Sequence, residues 1–290
     1  MKQIAESELI LNDDGSLYHI NLLPEDISDT IINVGDPDRV LMVSSFFDKI
    51  EVKKQKREFV THTGTYKGKR ITVISTGIGT DNIDIVYNEL DALVNIDLNS
   101  RTIKPSHTSL NLIRIGTSGS LQADIPSDAF VLSTYGLGLD GLMNYYECEF
   151  TQEEQELNEA FGKHYPTNGL LPKANIIKGS QKLAERLGEG MHKGMTASCA
   201  GFYAPQGRIL RYDLKRTDMI QKLHTFSHNN LKVTNFEMET GAMYGLARVL
   251  GHECCSVNAI VANRINLTHS HKAHETMLQL IETVLDRLAK

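Results

Sequence analysis

Along this chain, short apolar runs alternate with stretches whose apolar residues recur every three or four positions. The runs at 30–34, 70–75, 110–115, 129–133, 174–177, 233–236 and 254–261 predict strands. Several are β-branched and apolar on both faces, as strands covered on both sides of a sheet tend to be. Helical patterns lie between them. Asp36-Pro37 opens one, because Asp is a strong N-cap and Pro suits the first helical position; Val40, Val43 and Phe47 follow at helical spacing. A second spans 84–94. Met243, Leu246, Ala247 and Leu250 mark a third, ended by Gly251, and Met277, Ile281, Val284, Leu285 and Leu288 mark the last. This alternation predicts an α/β fold. The polar stretch 95–109, which contains Pro105, reads as a surface insertion.

Composition narrows the class. The 290 residues are 41% hydrophobic and 23% charged, enough for one large core without staples. No repeat, low-complexity tract or linker divides the chain, so 1–290 is read as a single domain. A net charge of −6 argues against a nucleic-acid partner, which would call for a net basic face. Cys148, Cys199, Cys254 and Cys255 show no C-x-x-C spacing and read as reduced core thiols. The opening stretch MKQIAESELILNDDG lacks an apolar signal core, and no run of about 18 apolar residues occurs, so no membrane association and a cytoplasmic location are expected.

Candidate chemistry concentrates in a few segments. In Val34-Gly35-Asp36-Pro37-Asp38-Arg39 a strand enters a helix through a glycine, where free backbone N–H groups and the helix dipole favour an anion. Arg39, a cation in the first turn, opposes that dipole and calls for an anionic partner: a bound phosphate, or Asp36 or Asp38. Arg114 interrupts an apolar strand just before a predicted Gly116-Thr117-Ser118-Gly119 turn. A buried arginine is paired, either with a phosphate that Thr117 and Ser118 could also hold, or with a core carboxylate. Asn235-Phe236-Glu237-Met238-Glu239-Thr240 is expected to set two carboxylates on one side of an extended segment. There they could accept from sugar hydroxyls, stabilise a developing cation, or cap a helix. Phe202-Tyr203-Ala204-Pro205-Gln206-Gly207-Arg208 offers a stacking surface, an amide and a guanidinium, which match a flat heterocycle with an imide edge; its plainer reading is an exposed loop.

Other motifs exclude. Ser75-Thr76-Gly77-Ile78-Gly79-Thr80 is half of a dinucleotide fingerprint, without the third glycine or a partner acid, which argues against a nicotinamide enzyme. Neither a G-x-x-x-x-G-K-[ST] loop nor a G-x-S-x-G elbow occurs. His269, His271 and His274 read as a solvated loop, since no acid or cysteine completes a tetrahedral set nearby. The adjacent 267–272 is read as a mobile lid.

Taken in order, Gly35-Asp36-Pro37-Asp38-Arg39, Arg57-Glu58-Phe59, Ser75-Thr76-Gly77-Ile78-Gly79, Arg114-Ile115-Gly116-Thr117-Ser118-Gly119, Phe202-Tyr203-x-x-Gln206-x-Arg208, Asn235-Phe236-Glu237-Met238-Glu239 and Val261-x-Asn263-Arg264 resemble the nucleoside phosphorylase superfamily, most closely its uridine-cleaving members. The likeness runs from about His19 to the C-terminal helix. It implies one α/β domain with a central mixed, partly barrel-like β-sheet flanked by helices. It implies a pentosyltransferase catalysing reversible phosphorolysis of uridine to uracil and ribose 1-phosphate, with catalysis resting on Arg39, Arg57, Arg114, Arg208 and Glu239. Gly35, Arg39, Arg114 and Thr117 would hold phosphate, with Arg57 supplied by a neighbouring subunit. Glu237, Met238 and Glu239 would hold the ribose, and His19, again from the neighbour, its 5′-hydroxyl. Gln206 and Arg208 would read the uracil edge, Phe202, Ser118 and Gly119 would line its faces, and Arg264 would back Arg208. Inorganic phosphate is then a co-substrate with no cofactor, and a homodimer is the minimal active unit, with larger assemblies left open.

The chain also departs from the pattern. Thr80-Asp81-Asn82 stands where many bacterial relatives carry a Gly-Pro-Ser-like turn. In some relatives that turn helps hold a structural monovalent cation at a subunit interface, with residues matching Glu58 and Ile78; Asn82 could offer an amide oxygen there. The 95–109 segment is longer than in compact bacterial members. Two alternatives stay open: a purine nucleoside phosphorylase or nucleosidase on the same fold, and a non-catalytic nucleoside-binding protein. Purine members place an Asp near Asn263, and neither hydrolysis nor simple nucleoside binding needs Arg39, Arg57 and Arg114.

Overall fold

Strand β1 (Thr30–Val34), buried at every residue, leads through Gly35 into α1 (Pro37–Ser44). The N-cap Asp36 accepts the Asp38 backbone N–H, and Pro37 occupies the first turn. The chain then forms β2 (Lys49–Lys56), β3 (Phe59–Tyr66) and β4 (Lys69–Ser75), crosses α2 (Thr80–Asn95) and a small hairpin of β5 (Ile96–Asp97) and β6 (Thr102–Ile103), and enters β7 (Asn111–Ser120). There follow β8 (Phe130–Gly138), α3 (Gln152–His164), β9 (Asn175–Lys178), α4 (Gln181–Leu187), β10 (His192–Ser198), α5 (Met219–Thr225) and β11 (Ser227–His228). The chain ends with β12 (Leu231–Glu237), α6 (Thr240–Leu250), β13 (Glu253–Asn263), β14 (Thr268–His269) and α7 (Ala273–Ala289). This computed structural model describes residues 3–167, 169 and 171–290.

The sheet is mixed and partly closed. β1 lies between parallel β4 and β7, and β7 continues parallel to β13. β13 runs antiparallel to β8, which is parallel to β10, which is parallel to β12. β12 then returns to β7 through Asn235↔Ser120 and Phe236↔Gly119, closing a ring of β7, β13, β8, β10 and β12. One apolar cluster packs α2 (Val86, Leu90, Leu93) and α6 (Leu246, Ala247) on one side of the sheet; a second packs α1 (Val40, Val43) and α7 (Ile281, Val284, Leu285) on the other. Gly251 ends α6 in the left-handed region at φ 78°, a conformation that costs glycine nothing.

Inside the ring the side chains are polar. Every strand of the ring gives at least one buried residue to a connected set: Arg114 and Ser118 from β7, then Asn258, Ser133, Thr196 and Asn235. Arg114 donates to Asn258 at 2.6 Å, Asn258 reaches Ser133 at 3.5 Å, and Ser133 meets Thr196 at 2.5 Å. Thr196 donates to Asn235 at 2.9 Å, and Asn235 returns to Ser118 of β7 at 2.9 Å. Buried polar groups tolerate such a place only when they satisfy one another.

Several expectations need correction. The strands predicted at 110–115 and 129–133 continue to Ser120 and Gly138, so Gly116-Thr117-Ser118-Gly119 is strand rather than turn. The helix expected at 84–94 begins at Thr80. The 95–109 segment, largely exposed, carries the β5–β6 hairpin; Ile4 donates to the Arg101 carbonyl and Arg101 donates to the Leu9 carbonyl. In the 267–272 segment Thr268 and His269 pair with β13, and Ser270 donates to Asp128 at 2.6 Å. His269, His271 and His274 are exposed. All four cysteines are free thiols; three are buried, and burial pushes Cys254 up to about 12. No described helix is long and apolar enough to cross a membrane.

Candidate active site

The C-terminal ends of β1, β7 and β12 open into a cleft of about 750 Å³. Arg114 points into it from β7, and its guanidinium folds back over Gly116, where a Cβ would stand 1.8 Å from Nη1. Glu237 is the last residue of β12 and Glu239 the N-cap of α6, so the two acids do not share one extended face. Both nevertheless reach Arg114 Nη2, at 3.0 Å and 2.7 Å. The core-carboxylate partner is therefore real. It does not exhaust the guanidinium: of five N–H donors, those accounted for meet Glu237, Glu239 and Asn258.

Glu237 is held from several sides. Ser198 Oγ donates to it at 2.6 Å, and the backbone N–H groups of Glu239 and Thr240 at 3.1 Å. Burial pushes its carboxyl up to about 7, helped by the neighbouring Glu239 charge and opposed by Arg114. The other oxygen of Glu239 accepts the Gly79 backbone N–H at 2.9 Å, which ties the glycine segment after β4 to α6.

Arg39 lies beside this pair from the first turn of α1 and also lines the cleft. Neither expected acid neutralises it. Asp36 caps its own helix, and no ion pair to Arg39 exists among the described residues. Its side-chain contact is a long 3.5 Å approach to the Ile115 carbonyl. Burial and the Arg114 charge pull its pKa down, against the smaller opposing pull of the Asp36 and Glu239 charges, so the nearby acids only partly compensate this cation. Gly35 and Thr117 border the same space. Gly35 sits against the Gly77 carbonyl, 3.4 Å from where a Cβ would be.

At the other end of the cleft stand Phe202, Gln206 and Arg208, with Ser118 and Gly119 between. Arg208 stacks on Phe202 at 3.8 Å and donates to the Phe202 carbonyl at 2.7 Å and to Gln206 Oε1 at 2.6 Å. That last bond occupies the Gln206 amide oxygen and leaves its nitrogen as the donor for a ligand in the cleft. Burial and the charge of Arg264 lower the Arg208 pKa. Arg264 does not brace Arg208 directly; its hydrogen bond goes to the Gln206 carbonyl at 3.3 Å. Gly119 leaves room for Phe236, whose ring a Cβ would meet at 2.8 Å. Met238 lines the cleft between the acids.

His19 and Arg57 lie outside the cleft of their own chain. The Tyr18 ring gathers them: His19 packs edge-on at 4.8 Å and Arg57 sits 5.7 Å from its centroid. Glu89 fixes His19 by a 2.6 Å contact to Nδ1 and accepts the His19 backbone N–H. Arg57 is exposed, in the tight turn between β2 and β3, at φ 54°. Glu58, Ile78 and Asn82 line the cleft rim. Asn82 turns its amide nitrogen onto Glu58 at 3.2 Å.

Pattern reading missed Asn258, Ser198 and the Gly79 N–H. Asn258 carried a signal like that of Arg114, a polar residue inside a largely apolar strand, shared there with Ser256.

A mixed α/β sheet with a partly closed ring, and a cleft pairing arginines and glutamates at its strand ends, define a small-molecule enzyme of the doubly covered α/β class. The phosphorylase superfamily model matches residues 29–290, and the chain belongs to that superfamily. It is 30% identical over 271 residues to a uridine phosphorylase of Thermococcus kodakarensis, covering 91% of this chain and 84% of that protein. It is 28% identical over 275 residues to a DeoD-type purine nucleoside phosphorylase of Bacillus thuringiensis, covering 92% and 97%. A crystal structure of a Trypanosoma brucei nucleoside phosphorylase, described as showing uridine phosphorylase activity, superposes with a TM-score of 0.88 at 27% identity over 97% of this chain and 99% of that one.

Proposed function

We propose that this chain catalyses the reversible phosphorolysis of uridine to uracil and ribose 1-phosphate. The observation that carries the reading is the position of Arg39: a half-buried guanidinium with no carboxylate of its own, beside Arg114, at the floor of a cleft whose walls suit a sugar and a flat base. Such a cation is stabilised by an oxyanion.

In this reading Gly35, Arg39, Arg114 and Thr117 seat phosphate under the sugar, and Glu237, Met238 and Glu239 take the ribose hydroxyls. A phosphate oxygen attacks C1′ as the bond to the base nitrogen breaks, and the base departs with the bonding electrons. Positive charge growing on the ribose faces phosphate and Glu239. Negative charge growing on the base meets Arg208 and the Gln206 amide, while Phe202, Ser118 and Gly119 hold its faces. Donors already aimed at developing charge lower the barrier without reorganising. Phosphate is an anion from the start and needs no general base, and no resident cofactor enters.

The pairing of His19 and Arg57 on the Tyr18 ring supports a site shared between two copies, each lending both residues to its neighbour, with a homodimer as minimal unit and pyrimidine salvage in the cytoplasm as the setting. A purine reading fits less well. Asn263 spends its amide nitrogen on the Gln122 and Ile125 carbonyls, each at 2.9 Å, and its oxygen on the Ile265 and Asn266 N–H groups, which leaves it no atom for a base. Product analysis with a nucleoside panel, with and without phosphate, tests the proposal. Phosphate-dependent uracil release is expected; faster inosine turnover, or uridine cleavage without phosphate, would overturn it.

A further inference from the structure

We propose that Asn258 is a positioning residue that sets the plane of the Arg114 guanidinium and thereby the affinity for phosphate. The inference rests on the phosphate role assigned to Arg114 above. Asn258 lies on β13 directly opposite Gly116 of β7. Only a residue without a Cβ at 116 lets Arg114 fold across its own strand to reach that neighbour. The Asn258 oxygen accepts from Nη1 at 2.6 Å, while both acids grip Nη2. The guanidinium is thus clamped from two directions, and a planar group held at two corners cannot swing.

The Asn258 amide is itself locked. Its nitrogen donates to Ser256 Oγ at 3.2 Å and approaches Ser133 Oγ at 3.5 Å, so its oxygen is the atom left for Arg114. Ser256 Oγ is in turn a partner of Thr240 at 2.9 Å, the first residue of α6. Asn258, Ser256 and Thr240 are fully buried, and the amide touches no space a substrate could enter. Asn258 acts through Arg114. Without it the acids alone would hold the guanidinium, and its remaining donors would no longer aim at the cleft floor. The acids keep their own contacts to Ser198 and Gly79, so the ribose side stays in place.

Two substitutions test this, with wild-type phosphate dependence measured first. Asn258→Ala is expected to raise the KM for phosphate by about tenfold or more, the cost of a charge-assisted hydrogen bond. Uridine affinity measured by calorimetry without phosphate should stay within about twofold, because only the Nη1 contact is lost. Asn258→Asp keeps the shape and serves if the alanine variant does not fold. It places a carboxylate on Nη1, so the phosphate KM rises at neutral pH. Relative to wild type at each pH, it should recover as acid protonates the new group. Direct phosphate titration by calorimetry reads the same ratios without turnover. A folded Asn258→Ala with unchanged phosphate binding, equal losses for phosphate and uridine, or an Asn258→Asp ratio flat with pH would overturn the inference. Wild-type uridine cleavage that ignores phosphate would instead overturn the functional reading.

Discussion

Arg114 and Glu239 hold one another at 2.7 Å across the join between β7 and the start of α6. Because Glu239 also takes the Gly79 N–H, the pair fastens three separate segments at the floor of one cleft. Removing either member leaves the other buried and charged. Arg114→Ala is expected to cut turnover by about two orders of magnitude, the usual loss on deleting an oriented donor. It should also lower stability by about 3–5 kcal/mol, as breaking a buried pair does. Steady-state kinetics and denaturant melts check both. Arg114→Lys keeps the charge but loses the fork, and should recover stability better than activity.

At the opposite end of the cleft, Arg208 holds the Gln206 amide by its oxygen, which leaves the nitrogen as the donor for a base. Gln206→Ala is expected to weaken uridine binding by about tenfold, the worth of one well-made hydrogen bond. Arg208→Ala should lower kcat more than it raises KM, because its charge matters most as the base departs. Equal effects of both variants on KM alone would count against a base-stabilising Arg208.

The gathering of His19 and Arg57 on Tyr18, away from their own cleft, makes a complementation experiment decisive. Arg57→Ala and Arg114→Ala should each be nearly inactive alone. Mixing them under subunit-exchange conditions should restore up to about a quarter to a half of the sites, since one intact cleft forms where the good halves meet. An active species that sediments as a monomer would contradict a shared site.

Glu237 gives a pH signature in stability. Its carboxyl rises to about 7 in the fold, above the value of about 4.3 for an exposed Glu. The folded state therefore binds the proton more tightly. The stability this lends is complete below the unfolded value and is lost as pH rises through the folded one. Glu237→Gln should remove that slope. The difference in Tm, variant minus wild type, should become more positive between about pH 5 and pH 8, as thermal melts across that range would show. A flat difference would mean that Ser198 and Arg114 keep the acid ionised throughout.

The places where pattern reading succeeded and failed share one cause. β1 and the start of β13 are apolar on both faces and stand out as strands. β10, with Thr196 and Ser198, and the far half of β7, with Ser118, turn polar side chains inward to partners on neighbouring strands. Hydrophobic periodicity cannot register an inner face built of hydroxyls and amides. β2 escaped for the opposite reason: it is a Lys-rich edge strand with little apolar surface, as edges that resist aggregation often are. The site motifs were readable because odd residues, such as Arg114 in an apolar run, need partners. Which partners they meet depended on a ring closure that no local window contains.

The hydrogen-bonded circuit around the ring has a further consequence. Ser133, Thr196, Asn235 and Asn258 each both give and receive, and Ser118 accepts from Asn235, so replacing one by an apolar residue strands a mate rather than merely opening space. Drift at these positions should run in matched donor–acceptor swaps, and a redesign that changes two facing members together has a route through the barrel that no single substitution offers.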